Sequence, residues 1–168
     1  RDPDLKSKGS GAIIGNGEII GVAVAVDGWC KYYPFGHEGG GNLDKKKILN
    51  WVSDVCATEA TKIFHNAMYD ICWLRSYGIK VNGHIVDTMV MASLVDENRM
   101  SYTLNALSWE YLGERKSEAT LKEVAKNWGI DAKAELYKLP AIYVGEYAEK
   151  DASLTLNLFK RLSTEIKK

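Results

Sequence analysis

The sequence predicts an α/β fold in which helices pack against a sheet. Three observations support this class. An apolar, β-branched run at residues 19–26 is followed by a hairpin signal, short strands alternate with helices between residues 61 and 95, and only helical patterns follow from residue 103. A length of 168 residues suits one domain with an ordinary hydrophobic core, so we interpret residues 1–168 as a single domain.

Each element follows from a local signal. Glycines and prolines predict loops, Asp27-Gly28 predicts a two-residue hairpin turn, and apolar residues three or four apart predict amphipathic helices. In chain order the predicted elements are a loop at 1–18, strands at 19–26 and 29–33, a glycine-rich loop at 36–41, a helix from 42, a strand at 61–64, a helix at 67–77, a strand at 85–86, a helix through 89–94, and helices at 103–112, 118–128 and 144–166.

The composition excludes several classes of protein. The chain has 22 basic and 22 acidic residues, a formal net charge of zero and 46% hydrophobic residues, which excludes a disordered chain. Neutrality removes the overall basic balance that argues for nucleic-acid binding, but it is compatible with a local basic rim. The longest apolar run, 19–26, is far shorter than the ~20 residues that cross a bilayer. Three widely spaced cysteines without a C-x-x-C motif favour free thiols, so we predict a cytoplasmic protein without a membrane span.

Two carboxylates lie in line with the apolar faces of predicted helices. Asp70 shares a face with Trp73 and Leu74, and Asp151, one turn after Tyr147, leads into a leucine stripe. An acid on a buried face is costly unless something neutralises it. For either residue alone, a helix-dipole role or a local hydrogen bond is the simpler interpretation. Together at the end of an α/β sheet they indicate a site for a pair of Mg²⁺ ions, which prefer hard oxygen ligands.

The segments FHNAMYD (64–70), VDTM (86–89) and YAEKD (147–151) carry a family resemblance. Their order and spacing resemble the 3′–5′ exonuclease domain of family A DNA polymerases, and most of all the phage-type proofreading domains of the DEDDy group. The resemblance implies a ribonuclease H-like fold with a mixed sheet flanked by helices. It also implies hydrolysis of the 3′-terminal phosphodiester of single-stranded DNA with two Mg²⁺ or Mn²⁺ ions, a covalently linked polymerase domain and, for a phage-encoded protein, the host cytoplasm.

The resemblance assigns roles to five residues. Asp70 would help to hold the metal on the leaving-group side, Asp151 the metal on the nucleophile side, and Tyr147 would orient the attacking water. Asn66 would contact the substrate strand or simply cap its helix. Asp87 would support the metal ligands from behind or cap the helix that it precedes.

One part of the family pattern is missing. The first motif of the family, D-x-E, lies on the first strand and supplies two further metal ligands. Asp2 and Asp4 have roughly that spacing, but Pro3 lies between them and no apolar strand surrounds them. Residues 1–5 instead resemble the turn that follows D-x-E, so we expect the chain to begin just past that strand. We therefore expect an open sheet edge, an incomplete metal site, and a chain that by itself is unstable and inactive or nearly so.

Other side chains suggest DNA contacts or core packing. His37, in its glycine-rich loop, is the best-placed aromatic residue for stacking on a base of a frayed 3′ end. Arg115 and Lys116 are candidates for phosphate contact. Four tryptophans on apolar helix faces are expected in the core: Trp51, Trp73, Trp109 and Trp128.

Three functions therefore compete. The first is a proofreading exonuclease domain of a DNA polymerase. The second is an RNA-trimming exonuclease of the ribonuclease D kind, which shares the motifs and differs in its response to the 2′-hydroxyl group. The third is a non-catalytic domain that keeps the fold for binding. The missing D-x-E motif favours this third function, and the joint presence of Asp70, Tyr147 and Asp151 argues against it.

Overall fold

Four strands and seven α-helices form the part of the chain that a computed structural model describes, residues 1–114, 116–132 and 134–166. The strands are β1 (Gly21–Val26), β2 (Trp29–Pro34), β3 (Lys62–Phe64) and β4 (Ile85–Asp87). The helices are α1 (Gly11–Ile14), α2 (Lys45–Ala57), α3 (Ala67–Ser76), α4 (Thr88–Val95), α5 (Leu104–Leu112), α6 (Ala119–Asn127) and α7 (Ala141–Glu165). The predicted order of strands and helices is confirmed. Two differences are the short helix α1 inside the predicted loop and the earlier start of α7, directly after Pro140.

The strands form two separate pairs in the described residues. β1 and β2 are antiparallel across the Asp27-Gly28 turn, with Val26 opposite Trp29. β3 and β4 are parallel, with Phe64 opposite Asp87. The expected mixed sheet is thus present as one antiparallel pair and one parallel pair, and no ladder of hydrogen bonds joins the two pairs in the described residues.

Both strand pairs lie between helical layers. Val22 packs against a core cluster from α2, α3 and the segment after α3, and Phe64 of β3 packs against the same cluster. The next residue of β1, Ala23, packs against a second cluster that includes Val144 of α7. Because neighbouring residues of a strand point to opposite faces, β1 is enclosed by α2 and α3 on one side and by α7 on the other. The second half of α7 packs on α4 and α5 through Leu158 and its neighbours.

Among the described residues, no strand pairs with the outer edge of β1. The Ile20 carbonyl accepts a hydrogen bond from the Phe35 N–H. In an antiparallel ladder the direction of the backbone groups alternates, so those of Ala23 and Ala25 point away from β2. The opposite edge of the hairpin is covered, since Glu149 of α7 accepts a hydrogen bond from the Tyr32 backbone N–H at 2.9 Å. A sheet edge of this kind is a template for further pairing.

The first residue of the chain already pairs with the segment that leads into β1. The Arg1 nitrogen donates to the Glu18 carbonyl at 2.6 Å, and the Glu18 N–H donates back to the Arg1 carbonyl at 2.9 Å. Reciprocal bonds of this type are the unit of an antiparallel ladder. Chain that continued backwards from Arg1 in this direction would run antiparallel to β1.

The expectation for the tryptophans is only partly confirmed. Trp73 is buried at 7% exposure, but Trp109 and Trp128 are 58% and 50% exposed, so their assignment to the core is wrong. An apolar helix face predicts burial only where another element covers that face. The three cysteines are free, as expected. None of the helices in the described ranges has the length and apolar character needed to span a membrane.

Candidate active site

The junction of β3 and α3 is built around Asn66 and Asp87. Asn66 has φ 65°, and among the described residues it is the only one besides glycine in the left-handed region, which asparagine tolerates better than most residues. Its exposed side chain makes no capping hydrogen bond, so the predicted cap role of Asn66 is wrong. The cap comes instead from Asp87, whose two oxygens accept from the N–H groups of Asn66 at 3.0 Å and Ala67 at 2.8 Å.

Asp87 also caps the helix that follows it. Its Oδ1 atom accepts from the Met89 N–H at 2.9 Å, at the start of α4. One carboxylate therefore satisfies the first amides of two helices, α3 and α4, where unpaired N–H groups and the helix dipoles favour a negative charge. Asp87 fixes the direction in which α3 leaves β3, and with it the position of Asp70.

Asp70 lies in the first turn of α3 and carries a perturbed carboxyl group. The residue is exposed overall, which contradicts its expected place on a buried face. Protein atoms nevertheless crowd the carboxyl group on its inner side, and this desolvation, together with the nearby charge of Asp87, raises the pKa of Asp70 to about 6. A carboxylate that is held beside another negative charge is a natural ligand for a cation.

We expect Asp70→Asn to stabilise the chain near neutral pH. Between pH 3.8 and about 6 the folded protein binds more protons at this site than the unfolded protein, so the free energy of unfolding falls as the pH rises through that window. The amide does not ionise and avoids this loss, which is on the order of 1 kcal/mol after allowance for the exposure of Asp70. Urea denaturation at about pH 7 and about pH 3.5 measures the effect. An equal gain at both values of pH would contradict the assignment.

Asp151 and Tyr147 lie one turn apart on α7, and Lys116 contacts both. The Lys116 Nζ donates to Asp151 Oδ2 at 2.9 Å and lies 4.1 Å from the centroid of the Tyr147 ring. The side chains of Lys116 and Asp151 are 14% and 35% exposed. Burial raises the pKa of Asp151, and the charge of Lys116 opposes that rise. Burial lowers the pKa of Lys116, but Asp151 and Tyr147 outweigh this effect, so the pKa of Lys116 is raised and the lysine stays cationic.

The second oxygen of Asp151 is incompletely satisfied. Oδ1 lies 2.8 Å from the Lys116 Nζ, but this contact lacks hydrogen-bond geometry, and the buried atom has no other donor. Buried polar atoms nearly always have a hydrogen bond, and a carboxylate oxygen that has an ion pair but no hydrogen bond also suits a cation that is not part of the protein.

His65 links the two halves of the site. It lies at the end of β3, with Nδ1 2.9 Å from the Thr88 hydroxyl, and burial lowers its pKa. The charges of both Asp87 and Asp151 act on this imidazole, and Asp87 in turn acts on Asp70. Asp87 is thus electrostatically linked to Asp70 on α3, and through His65 to Asp151 on α7. His65 itself is a satisfied histidine at a strand end, as its position in the sequence suggests.

His37 is not available to a substrate. It is 3% exposed, donates from Nδ1 to the Leu139 carbonyl at 2.9 Å, and accepts from the Tyr32 hydroxyl at 2.7 Å through Nε2. The expectation that His37 stacks on a base is therefore wrong, because neither face of its ring is open. The glycine-rich loop that carries His37 folds inward, and burial lowers the pKa of the His37 imidazole.

The role of Lys116 at Asp151 was missed by sequence reasoning. The two residues are 35 positions apart, and no local pattern connects them. Lys116 was expected at a phosphate, and the structure places it on the carboxylate instead. Arg115, its neighbour in that expectation, lies outside the described residues.

The carboxylates of Asp70 and Asp151 are suitable ligands for a divalent cation, but two carboxylates are too few to hold one. Asp70 and Asp151 offer hard carboxylate oxygens, and Asp151 Oδ1 lacks a donor. Within 1–114, 116–132 and 134–166, no three His, Cys, Asp or Glu side chains gather closely enough to hold a metal ion. These residues would therefore contribute to a metal site that needs further ligands.

Comparison with known proteins places these residues in a family. Residues 41–167 match the 3′–5′ exonuclease model of family A DNA polymerases. A DNA-directed DNA polymerase of Pseudomonas phage M6 is 35% identical over 99% of this chain and 26% of its own length. DNA polymerase DpoZ of Salmonella phage PMBT28 is 31% identical over 90% of this chain and 24% of its own length.

A solved structure supports the same fold. The polymerase domain of Pol1 from M. smegmatis, in complex with a DNA primer-template and dNTP, matches with a TM-score of 0.59 and 21% identity over 86% of this chain and 20% of that one. The chain spans about a quarter of the length of the curated phage relatives. The family match covers more than half of the chain and includes all three motifs, and the chain therefore belongs to the 3′–5′ exonuclease domains of family A DNA polymerases, with their ribonuclease H-like fold.

Proposed function

We propose that the chain, when its metal site is completed by a further strand, removes nucleotides from the 3′ end of single-stranded DNA by two-metal hydrolysis, as the proofreading activity of a covalently linked DNA polymerase. The observation that carries the proposal is a chain of electrostatic contacts: Asp87 and Asp151 both act on His65, Asp87 also acts on Asp70, and Tyr147 lies one turn from Asp151. The phage relatives are DNA polymerases much longer than this chain, which supports a linked polymerase domain. Their phage origin supports action in the host cytoplasm.

The residues divide the chemistry between them. Asp151 and Asp70 would each hold a divalent cation, Mg²⁺ or Mn²⁺, and such a pair supplies Lewis-acid activation of water and stabilises charge on the departing 3′ oxygen. Tyr147 offers a hydroxyl group that orients the attacking water without carrying a full charge. Asp87 keeps α3 in place, and Asn66 beside it, whose side chain is exposed, would contact the substrate strand.

The proposal also requires a strand that this chain does not supply. We propose that an extended strand joined to Arg1 pairs with the outer edge of β1, lies beside β3 and joins the two strand pairs into one sheet. The reciprocal bonds between Arg1 and Glu18 support its direction, and the shared core cluster of Val22 and Phe64 supports the common layer of β1 and β3. A D-x-E sequence on this strand would add the missing ligands beside Asp70 and Asp151.

The proposed roles can be tested by substitutions in a chain that is extended before Arg1 by this D-x-E strand, which we call the strand-completed chain. Asp151→Ala should lower the rate of mononucleotide release by at least about 10³-fold, since it removes a ligand of the reacting centre. Tyr147→Phe should slow release by about 10²-fold and leave the affinity for Mn²⁺ unchanged, because only the water-orienting hydroxyl is lost. Release from end-labelled DNA and calorimetric Mn²⁺ titration give the two readouts. A loss of Mn²⁺ affinity in Tyr147→Phe as large as that in Asp151→Ala would refute the role of Tyr147.

Nucleotide release from DNA and from RNA distinguishes the three competing functions. A matched RNA oligomer tests the ribonuclease alternative, because the 2′-hydroxyl group is the distinguishing feature, and faster release from RNA than from DNA would overturn the DNA assignment.

The absence of a three-residue metal cluster in the described ranges favours a non-catalytic binding domain. No release from either substrate by the strand-completed chain would establish that alternative.

A further inference from the structure

Glu114 and Lys116 each form an ion pair with α7 at the proposed metal ligand. Glu114 accepts from Lys150 at 2.6 Å, and Lys116 donates to the next residue of α7, Asp151. These two residues are thus bound to consecutive residues of the helix. The Glu114–Lys150 pair is half exposed, whereas the Lys116 side chain is 14% exposed and lies over the Tyr147 ring.

The Lys116 ammonium group occupies the position that a cation at Asp151 needs. It lies 2.9 Å and 2.8 Å from the two carboxylate oxygens and 4.1 Å from the ring centroid of Tyr147. A divalent ion on the same two oxygens would lie within a few ångströms of the ammonium group, and the two positive charges would repel each other. The pair formed by Oδ1 is also poor in geometry, so the lysine satisfies Asp151 less fully than a metal ion would.

We infer that Lys116 is an internal counter-ion of Asp151, and that a divalent ion binds at Asp151 by displacing the Lys116 ammonium group. This inference rests on the proposed function, because it assumes that Asp151 is a metal ligand. Lys116 thereby weakens metal binding and neutralises the Asp151 carboxylate when no metal is bound.

Mn²⁺ affinity of the chain 1–168 tests the inference. Lys116→Met keeps the aliphatic stem over Tyr147 and removes the charge, so the dissociation constant for Mn²⁺ should fall by about tenfold, the lower end of what a hydrogen bond between charged groups contributes. Lys116→Arg keeps the cation and should bind Mn²⁺ no more tightly than the wild type. The matched control is Lys122→Met, since Lys122 pairs with Glu118 but lies on the exposed face of α6. The control should leave the affinity unchanged.

Paramagnetic broadening of amide signals shows where the ion binds. Broadening at Asp151 that disappears in Asp151→Asn identifies the site, and Mg²⁺ should shift the amide signals of residues 116–118 in the wild type. A loss of folding in Lys116→Met would show directly in the same spectra, and Lys116→Gln then provides a second variant without the charge.

The outcomes separate this inference from the proposed function. Binding at Asp151 with equal or weaker affinity in the uncharged variants overturns the inference and leaves the metal site intact. No binding at Asp151 in any of these proteins overturns the inference, whereas the proposed function, which requires the added strand, fails only if the strand-completed chain releases no nucleotides. Tighter binding in the uncharged variants, with wild-type affinity in Lys122→Met, supports the inference, because a purely structural lysine would not raise metal affinity when it is removed.

Discussion

A strand added before Arg1 is expected to stabilise the chain and to confer exonuclease activity. The added strand would contain about six residues, alternate apolar side chains with a D-x-E sequence, and enter the sheet edge that Ala23 and Ala25 present. Joining the strand pairs would bury the edges of β1 and β3 and raise the melting temperature by at least about 5 °C. The added carboxylates would complete the metal site with Asp70 and Asp151.

The two effects can be separated by a matched variant. A strand with the same apolar residues and N-x-Q in place of D-x-E should stabilise the chain as well as the acidic strand does, yet release no nucleotides. Thermal unfolding and release from labelled single-stranded DNA in Mg²⁺ measure the two effects. Robust nuclease activity from the chain that begins at Arg1 would contradict the requirement for the strand. Unchanged stability in both extended chains would contradict the proposed pairing with β1.

Asp87→Ala is expected to be the most destabilising single change at the site. Its carboxylate accepts hydrogen bonds from the N–H groups of Asn66, Ala67 and Met89, and the loss of this double cap should lower the free energy of unfolding by about 2–3 kcal/mol. Asp44→Ala is the matched control, because Asp44 caps α2 through the Lys47 N–H alone and should cost about 1 kcal/mol. Urea denaturation compares the two variants.

A second readout isolates the charge of Asp87 from its capping role. Asp87→Asn keeps one acceptor oxygen and removes the negative charge that helps to raise the pKa of Asp70. The pKa of Asp70, followed by its side-chain carbon resonance, should therefore fall below about 6 in this variant. A cost for Asp87→Ala no greater than that for Asp44→Ala, or an unchanged pKa of Asp70, would show that Asp87 does not join the two helices in this way.

Sequence reasoning succeeded where the signal is local. The β-branched run before Asp27-Gly28 specifies a hairpin because turn residues and strand residues are adjacent in the chain, and β1 and β2 form as predicted. The helices follow from apolar periodicity, and residues 64–70, 86–89 and 147–151 indicate the family, which the match over residues 41–167 confirms.

Sequence reasoning failed where a side chain depends on partners that are distant in the chain. His37 looked accessible in its loop, but Leu139, about a hundred residues later, supplies a carbonyl that holds it inside. Trp109 lies on an apolar helix face, yet 58% of it is exposed. Asn66 has the residue type of a helix cap, yet its left-handed backbone leaves that role to Asp87.

The sequence by itself determined the order of strands and helices, the three acidic motifs and the lack of the D-x-E pair, because propensity, periodicity and motif spacing act between near neighbours. Only the tertiary structure decided which charges meet: Lys116 at Asp151, and Asp87 at the starts of both α3 and α4. Electrostatic energy depends on separation in space and on burial, and neither quantity is set until the chain has folded.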